Sequence, residues 1–93
     1  MTLLLKDPEA ALDYAVDWGA EYLNGDAISQ SDWEVVPVET GGIVIAGGRF
    51  DSTVATVTAS GGIPGHVYRL NNTVVLASGL SDSRSIVLRV EQR

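Results

Sequence analysis

The chain has 93 residues, no cysteine and a formal net charge of −6 at pH 7. A chain of this length forms one domain, and the absence of cysteine excludes a disulfide framework or a thiolate zinc site and suits a reducing compartment. The acidic balance argues against nucleic acid as a partner, because such binding requires a basic surface.

The first eight residues are predicted to form an N-terminal arm, followed by one domain over residues 9–93. Met1–Leu5 is apolar but too short for a signal sequence, and no segment approaches the ~20 apolar residues of a membrane helix. We therefore expect a soluble, unexported protein that does not bind a membrane. Leu3, Leu4 and Leu5 are candidate docking residues, since an apolar terminus must add to the core or dock on another chain.

Residues 12–18 are predicted to form a strand. Leu12, Tyr14, Val16 and Trp18 alternate with Asp13, Ala15 and Asp17. A helix is the alternative, because Asp7-Pro8-Glu9 is a good helix start and periodicity alone does not separate the two. Aromatic residues at alternate positions suit a half-buried strand, and Gly19 would interrupt a helix, so the strand is favoured.

A short helical turn near residues 20–23 and a corner at Asn24-Gly25-Asp26 are expected to lead into a second strand near 28–37. The side chain of Asp26 is predicted to close its own turn. Pro37 lacks a backbone donor and should lie at the end of the strand or on an edge. Trp33 is out of phase with Ile28, which predicts either a bulge between them or a Trp33 that covers an edge.

The middle of the chain contains two glycine pairs around Ile43–Ala46. We expect a short strand between two turns rather than a phosphate-binding loop, because no Gly-Lys-Ser/Thr ends the segment. Thr53–Ala59 is predicted to be a further strand, ended by Gly61-Gly62.

Residues 66–78 are predicted to form one long strand. Asn71-Asn72 could instead be a two-residue hairpin turn, but the apolar phase of Tyr68 and Leu70 continues beyond the pair to Val74 and Leu76. A loop over residues 78–83 then leads into a final strand over residues 84–91, in which apolar and polar residues alternate.

Short segments rich in valine, isoleucine and threonine, separated by glycine, are typical of an all-β sandwich or barrel. Large aromatic residues dominate a small core, so four of them are candidate core or edge anchors: Tyr14, Trp18, Trp33 and Tyr68. The tryptophans could alternatively be exposed anchors of an interface.

No constellation of residues points to catalysis. His66 is the one histidine, it is expected at the junction of a loop and a strand, and no nucleophile elbow is present. Asp26, Asp32, Asp51 and Asp82 lack the spacing of an EF-hand. The sequence therefore predicts no catalytic residue, no metal site and no cofactor.

Charge is unevenly distributed along the chain. Residues 1–41 carry nine acids and one lysine (−8), whereas residues 42–93 carry three acids and five arginines (+2). This pattern suits either simple solvation or the meeting of acidic and basic surfaces on neighbouring subunits.

One segment, Gly65-His66-Val67-Tyr68-Arg69-Leu70, resembles the start of the F strand in immunoglobulin-like domains, where a corner tyrosine precedes an inward residue by two positions. A wider resemblance extends over residues 7–91 and rests on four motifs: Asp13-Tyr14-x-x-Asp17-Trp18, Leu23-x-Gly25-Asp26-x-Ile28-x-x-Ser31-x-Trp33, Ser60-Gly61-Gly62-x-x-Gly65-x-x-Tyr68 and Ser83-Arg84-Ser85. These motifs are similar to those of the small tailed-phage structural proteins described as phage fiber-tail adaptor proteins.

That resemblance implies an immunoglobulin-like antiparallel β-sandwich of about seven strands. It also implies a non-enzymatic virion protein, made in the cytoplasm of the host bacterium, that attaches fibers or other components at the tail or head-tail junction. Its partners would be other virion proteins and further copies of itself. A capsid decoration protein is the alternative, and a host-surface or carbohydrate-binding module is a second one.

Overall fold

A computed structural model describes residues 3–19 and 25–92. The predicted helical turn near residues 20–23 lies outside these ranges. Within them, no helix is long and apolar enough to cross a membrane. The described residues form seven strands: β1 (Leu3–Lys6), β2 (Leu12–Asp17), β3 (Ile28–Val36), β4 (Ile43–Phe50), β5 (Val54–Gly61), β6 (Val67–Leu76) and β7 (Ser81–Val90).

The strands form two sheets, one in the order β1-β7-β6-β3 and the other in the order β2-β5-β4. All pairs are antiparallel except β1 with β7. In immunoglobulin terms β3, β6 and β7 occupy the places of strands C, F and G, and β2, β5 and β4 those of B, E and D. The predicted all-β, immunoglobulin-like sandwich is confirmed, with the first strand placed beside the last one.

The structure confirms the strand near 28–37 and, of the two explanations for the phase of Trp33, it shows the bulge. The register of β3 against β6 shifts between Ile28 and Gln30, so that Ile28 and Trp33 both face the core. An extra residue in one strand reverses the inward phase beyond it, which explains the broken alternation. The strand ends at Val36, directly before Pro37, where a missing backbone donor removes no ladder bond.

Two predicted boundaries were wrong. The second glycine pair is not a turn: β4 continues through Gly47 and Gly48 to Phe50, with a register shift between Ala46 and Arg49. Gly47 has φ of 64°, a conformation that glycine adopts at a bulge without strain. The final strand begins at Ser81 rather than Arg84, because the preceding turn is tight and Leu76 N–H donates to the carbonyl of Leu80 at 2.7 Å.

The core comprises two clusters of buried residues between the sheets. One contains Tyr14 and Tyr68, the other Trp18, and both contact Trp33 and Ile86. The uninterrupted strand predicted over residues 66–78 is confirmed as β6, which supplies every second residue to this core. Each fully buried aliphatic side chain contributes about 1.5–3 kcal/mol, so most of the stability comes from this interior.

Within residues 3–19 and 25–92, two polar residues are fully buried beside the apolar core. The Nζ of Lys6 donates to the carbonyl oxygens of Asp7, Ala10 and Gly61 at 2.9, 2.6 and 2.7 Å. These bonds tie the end of β1 to the following turn and to the end of β5. Burial lowers the pKa of Lys6, and the neighbouring charge of Asp7 opposes that shift.

The second buried polar residue is Asn72, which explains the interruption in the apolar phase of β6. Its Oδ1 accepts the indole N–H of Trp18 at 2.8 Å, and its Nδ2 donates to the Ser31 hydroxyl and the Asp32 carbonyl. A buried amide is stable only when such bonds satisfy it.

Candidate docking surface

The predicted anchors lie as follows. Tyr14, Trp18 and Tyr68 are buried, and Trp33 is half-buried between the two core clusters. Tyr68 adopts the geometry of an immunoglobulin corner, because its hydroxyl accepts the backbone N–H of Ile63, five residues upstream, at 3.2 Å.

The leucines of the predicted arm form strand β1 at the edge of the larger sheet. Strand alternation turns Lys6 and Leu4 toward the interior side and Leu3 and Leu5 outward. Leu3 and Leu5 remain 58% and 50% exposed. Pairing with β7 therefore leaves two large apolar side chains in water.

These leucines belong to a larger apolar surface on the outer side of the sheet. Two rows of neighbours run across the strands of this sheet. One row is Leu3, Val87, Arg69 and Val36, and the other is Leu5, Arg89 and Val67. We call this surface the arginine–valine face: Leu3, Leu5, Val36, Val67, Arg69, Val87 and Arg89. A contiguous apolar area with basic groups is typical of an interaction site.

Charge on this face is positive although the protein is acidic. Arg89 is paired with Glu91 at 2.6 Å, and both side chains are about half exposed. Exposed pairs of this kind contribute little to stability. Charged groups on a surface favour partners whose charges are complementary.

A second surface feature is a groove of about 720 Å³ between β2 of one sheet and β7 of the other. Leu4, Tyr14, Ala15 and Ile86 supply apolar walls, and Asp13 and Ser83–Ser85 supply polar ones. Arg84 lies over the Trp18 ring with its guanidinium carbon 4.6 Å from the ring centroid. The groove forms because β1 pairs with Val87–Val90 only and leaves the first half of β7 uncovered by described residues.

A cluster of titratable residues lies at the other end of the sheet. Glu39 accepts hydrogen bonds from the Tyr68 hydroxyl and pairs with His66 Nδ1 at 2.9 Å. The bond from Tyr68 and then that from His66 lower the pKa of Glu39. No group of three or more His, Cys, Asp or Glu residues that could hold a metal ion occurs within residues 3–19 and 25–92.

Sequence reasoning missed the arginine–valine face and the buried Lys6. The face combines residues from four strands, and its members are separated by up to 86 positions (Leu3 to Arg89), so only the register shows that they are neighbours. For Lys6 a signal was available: it is the one lysine of the chain, and it ends an apolar run.

A comparison with curated proteins found no match. A comparison with protein families found the family described as podophage GP4 fiber-tail adaptor protein gp77, which matches residues 6–89. The match begins within β1 and ends within β7, so it includes both sheets of the sandwich. The chain therefore belongs to the podophage GP4 fiber-tail adaptor family.

Proposed function

We propose that this protein is a non-enzymatic virion component that attaches fibers to the tail of a podophage, as a homo-oligomer within the particle. The observation that supports this most directly is the family match over residues 6–89. The structure adds a surface suited to attachment, since Leu3 and Leu5 extend an apolar area that a monomer would leave in contact with water.

The arginine–valine face is the proposed contact with a neighbouring virion protein. Its apolar residues would become buried, and Arg69 and Arg89 would meet acidic groups of that neighbour. The mechanism is geometric: a rigid sandwich holds the face in a fixed orientation, and the particle's symmetry repeats it.

Antibody labelling of intact particles, viewed by electron microscopy, tests this proposal. Label at the tail or at its junction with the head supports the adaptor function. Label distributed over the capsid would make the protein a decoration protein, and particles free of the chain would reject a virion function altogether.

A variant distinguishes the proposed face from the rest of the surface. We expect the double substitution Leu3→Ser and Leu5→Ser to reduce the number of fibers per particle, because apolar contact area is lost. Leu80→Ser is the matched control, since Leu80 is 66% exposed in the β6–β7 turn and lies outside the face. Equal fiber numbers in the two variants would reject the face as the contact.

A further inference from the structure

The outer side of the larger sheet extends beyond the arginine–valine face and changes character there. The next two rows beyond Val36 are Asn71 with Glu34, and then Thr73 with Asp32. These side chains point outward, because they alternate along β3 and β6 with residues that face the core. We call this part of the outer side the acidic end: Asp32, Glu34, Asn71, Thr73, Ser83 and Ser85.

The two parts of this side carry opposite charges. Arg69 makes no ion pair within residues 3–19 and 25–92, and neither do Asp32 and Glu34. Glu34 accepts a hydrogen bond from the Asn71 amide at 3.2 Å, which leaves its charge uncompensated by any described cation. One side of the sheet therefore presents a cation at its apolar end and two carboxylates at its other end.

A shallow depression of about 340 Å³ lies where the two parts meet. Outward residues of β3, β6 and β7 line it: Val36, Val67, Arg69, Asn71 and Val87. The valines around it are exposed to water in the single chain. Apolar surface in the middle of a charged sheet face is typical of a protein–protein contact.

We propose that two copies of this chain associate through this side of the larger sheet, about a two-fold axis that runs across the strands near the depression. Such an axis turns one copy end over end, so that the arginine–valine face of each copy lies over the acidic end of the other. Arg69 of each copy then meets Glu34 of the other copy, and this contact is made twice. The proposal rests on the adaptor function and identifies the neighbour of the arginine–valine face as a second copy.

Charge complementarity favours a second copy over an unrelated protein. A partner that offered only acidic groups would attract Arg69 but would be repelled by Asp32 and Glu34, whereas a second copy brings a cation to each acidic end. The same argument fixes the orientation of the axis. An axis parallel to the strands would instead bring together Arg69 and Arg89 of both copies.

The size of this side suits a weak dimer. Four strands about 4.8 Å apart, with at most ten residues of about 3.3 Å each, give a side of about 19 by 33 Å. Contact over all of it would bury about 1,200 Å² in the two copies together, the lower limit for a stable specific interface. We therefore expect an affinity in the micromolar range, which is sufficient for copies held close together in a particle.

Sedimentation equilibrium of the purified chain tests the association. We expect a reversible equilibrium between monomer and dimer, with a dissociation constant of about 1–100 µM. A chain that remains monomeric at about 1 mM, well above this range, would overturn the proposal. Assembly into larger oligomers without a dimer would also overturn it, because a two-fold contact closes at two copies.

Charge reversal tests how the two ends pair. Arg69→Glu and Glu34→Arg should each weaken the dimer by at least about tenfold, because two like-charge contacts replace two attractive ones. An equimolar mixture of these two variants should recover an affinity close to that of the wild type, since both contacts of the mixed dimer again join opposite charges. A mixture that binds no better than the separate variants would reject the proposed pairing.

Arg49→Glu is the matched control, because it makes the same change of charge on β4 of the other sheet. Its dimerisation should equal that of the wild type. A loss as large as that in Arg69→Glu would show that overall repulsion limits association, and the proposed contact would be rejected. Glu34→Arg excludes the same explanation independently, since it reduces the net negative charge of the protein.

The dimer and the adaptor function fail in different experiments. A monomeric chain that is nevertheless labelled at the tail of intact particles would reject only the dimer. A chain that dimerises as expected but is absent from particles would count against the adaptor function.

Discussion

At the scale of single residues, the fold depends on a buried amide as much as on apolar side chains. Asn72 joins the two sheets, because it accepts from Trp18 beyond β2 and donates to Ser31 and to the Asp32 carbonyl on β3. Removing one member of a buried network leaves the others unsatisfied, which costs more than the bond itself contributes.

Asn72→Ala should lower the free energy of unfolding by about 1–3 kcal/mol, because it removes the bond from the Trp18 indole N–H and the bonds to Ser31 and the Asp32 carbonyl. The neighbouring Asn71→Ala is the control, since Asn71 bonds Glu34 and Ser85 on the outer side of the same strand. Urea denaturation followed by tryptophan fluorescence measures both variants. Similar losses of unfolding free energy in the two variants would show that the buried network stabilises the fold no more than the bonds of Asn71 do.

The same residue shows how far sequence reasoning extends. Asn72 is recognisable as the one polar residue in the inward phase of a predicted strand. Its partners are not recognisable, because they lie 40 to 54 positions away and depend on the packing of the two sheets.

At the scale of elements, β1 is the unusual strand. It has four residues and pairs in parallel with β7. A short edge strand has few backbone bonds to hold it, and most of its apolar side chains remain exposed. The buried ammonium of Lys6, bonded to three carbonyls, is therefore the main anchor of this strand.

Lys6→Met should lower the free energy of unfolding by about 1–3 kcal/mol, because the methionine fills the space but leaves buried carbonyls without a donor. Leu5→Met, one residue earlier on the exposed side, should change it by less than about 0.5 kcal/mol. Hydrogen exchange of the β1 amides gives a local readout, and we expect faster exchange in Lys6→Met alone. Unchanged protection of β1 would show that the ammonium does not anchor the strand.

At the scale of the whole molecule, carboxylates hold turns and connect segments: Asp13, Asp26 and Glu39 bond residues distant in sequence, whereas Asp51 bonds its own turn. Asp26 accepts hydrogen bonds from Ala27 and Ser78, and Asp51 accepts them from the turn into β5. Asp13 accepts a hydrogen bond from Thr58 and pairs with Arg49. Glu39 accepts a hydrogen bond from Tyr68 and pairs with His66. Hydrogen bonds to the charged form lower the pKa of each of these carboxyls.

The melting temperature should therefore fall on acidification. The pKa of Glu39 is 4.5 in the unfolded chain and lower in the folded protein. The ionised carboxylate therefore stabilises the fold at pH values above 4.5. This contribution is lost as the pH falls through the lower folded-state pKa. Calorimetry between pH 7 and pH 3 should show a smaller decline in Glu39→Gln than in Glu34→Gln, the charge-matched control on β3. A melting temperature that is constant over this range would contradict the prediction.

The sequence by itself determined the fold class and the phase of most strands, because alternation and glycine placement are local properties of the chain. It left two explanations for the phase of Trp33, and the register of β3 against β6 decided in favour of the bulge. The tertiary structure alone decided that Leu3–Leu5 would pair with β7, that Gly47 and Gly48 would lie within a strand, and that four strands would build the arginine–valine face. These features depend on which strands become neighbours and in what register, and that choice is made by burial of the whole core rather than by any single segment.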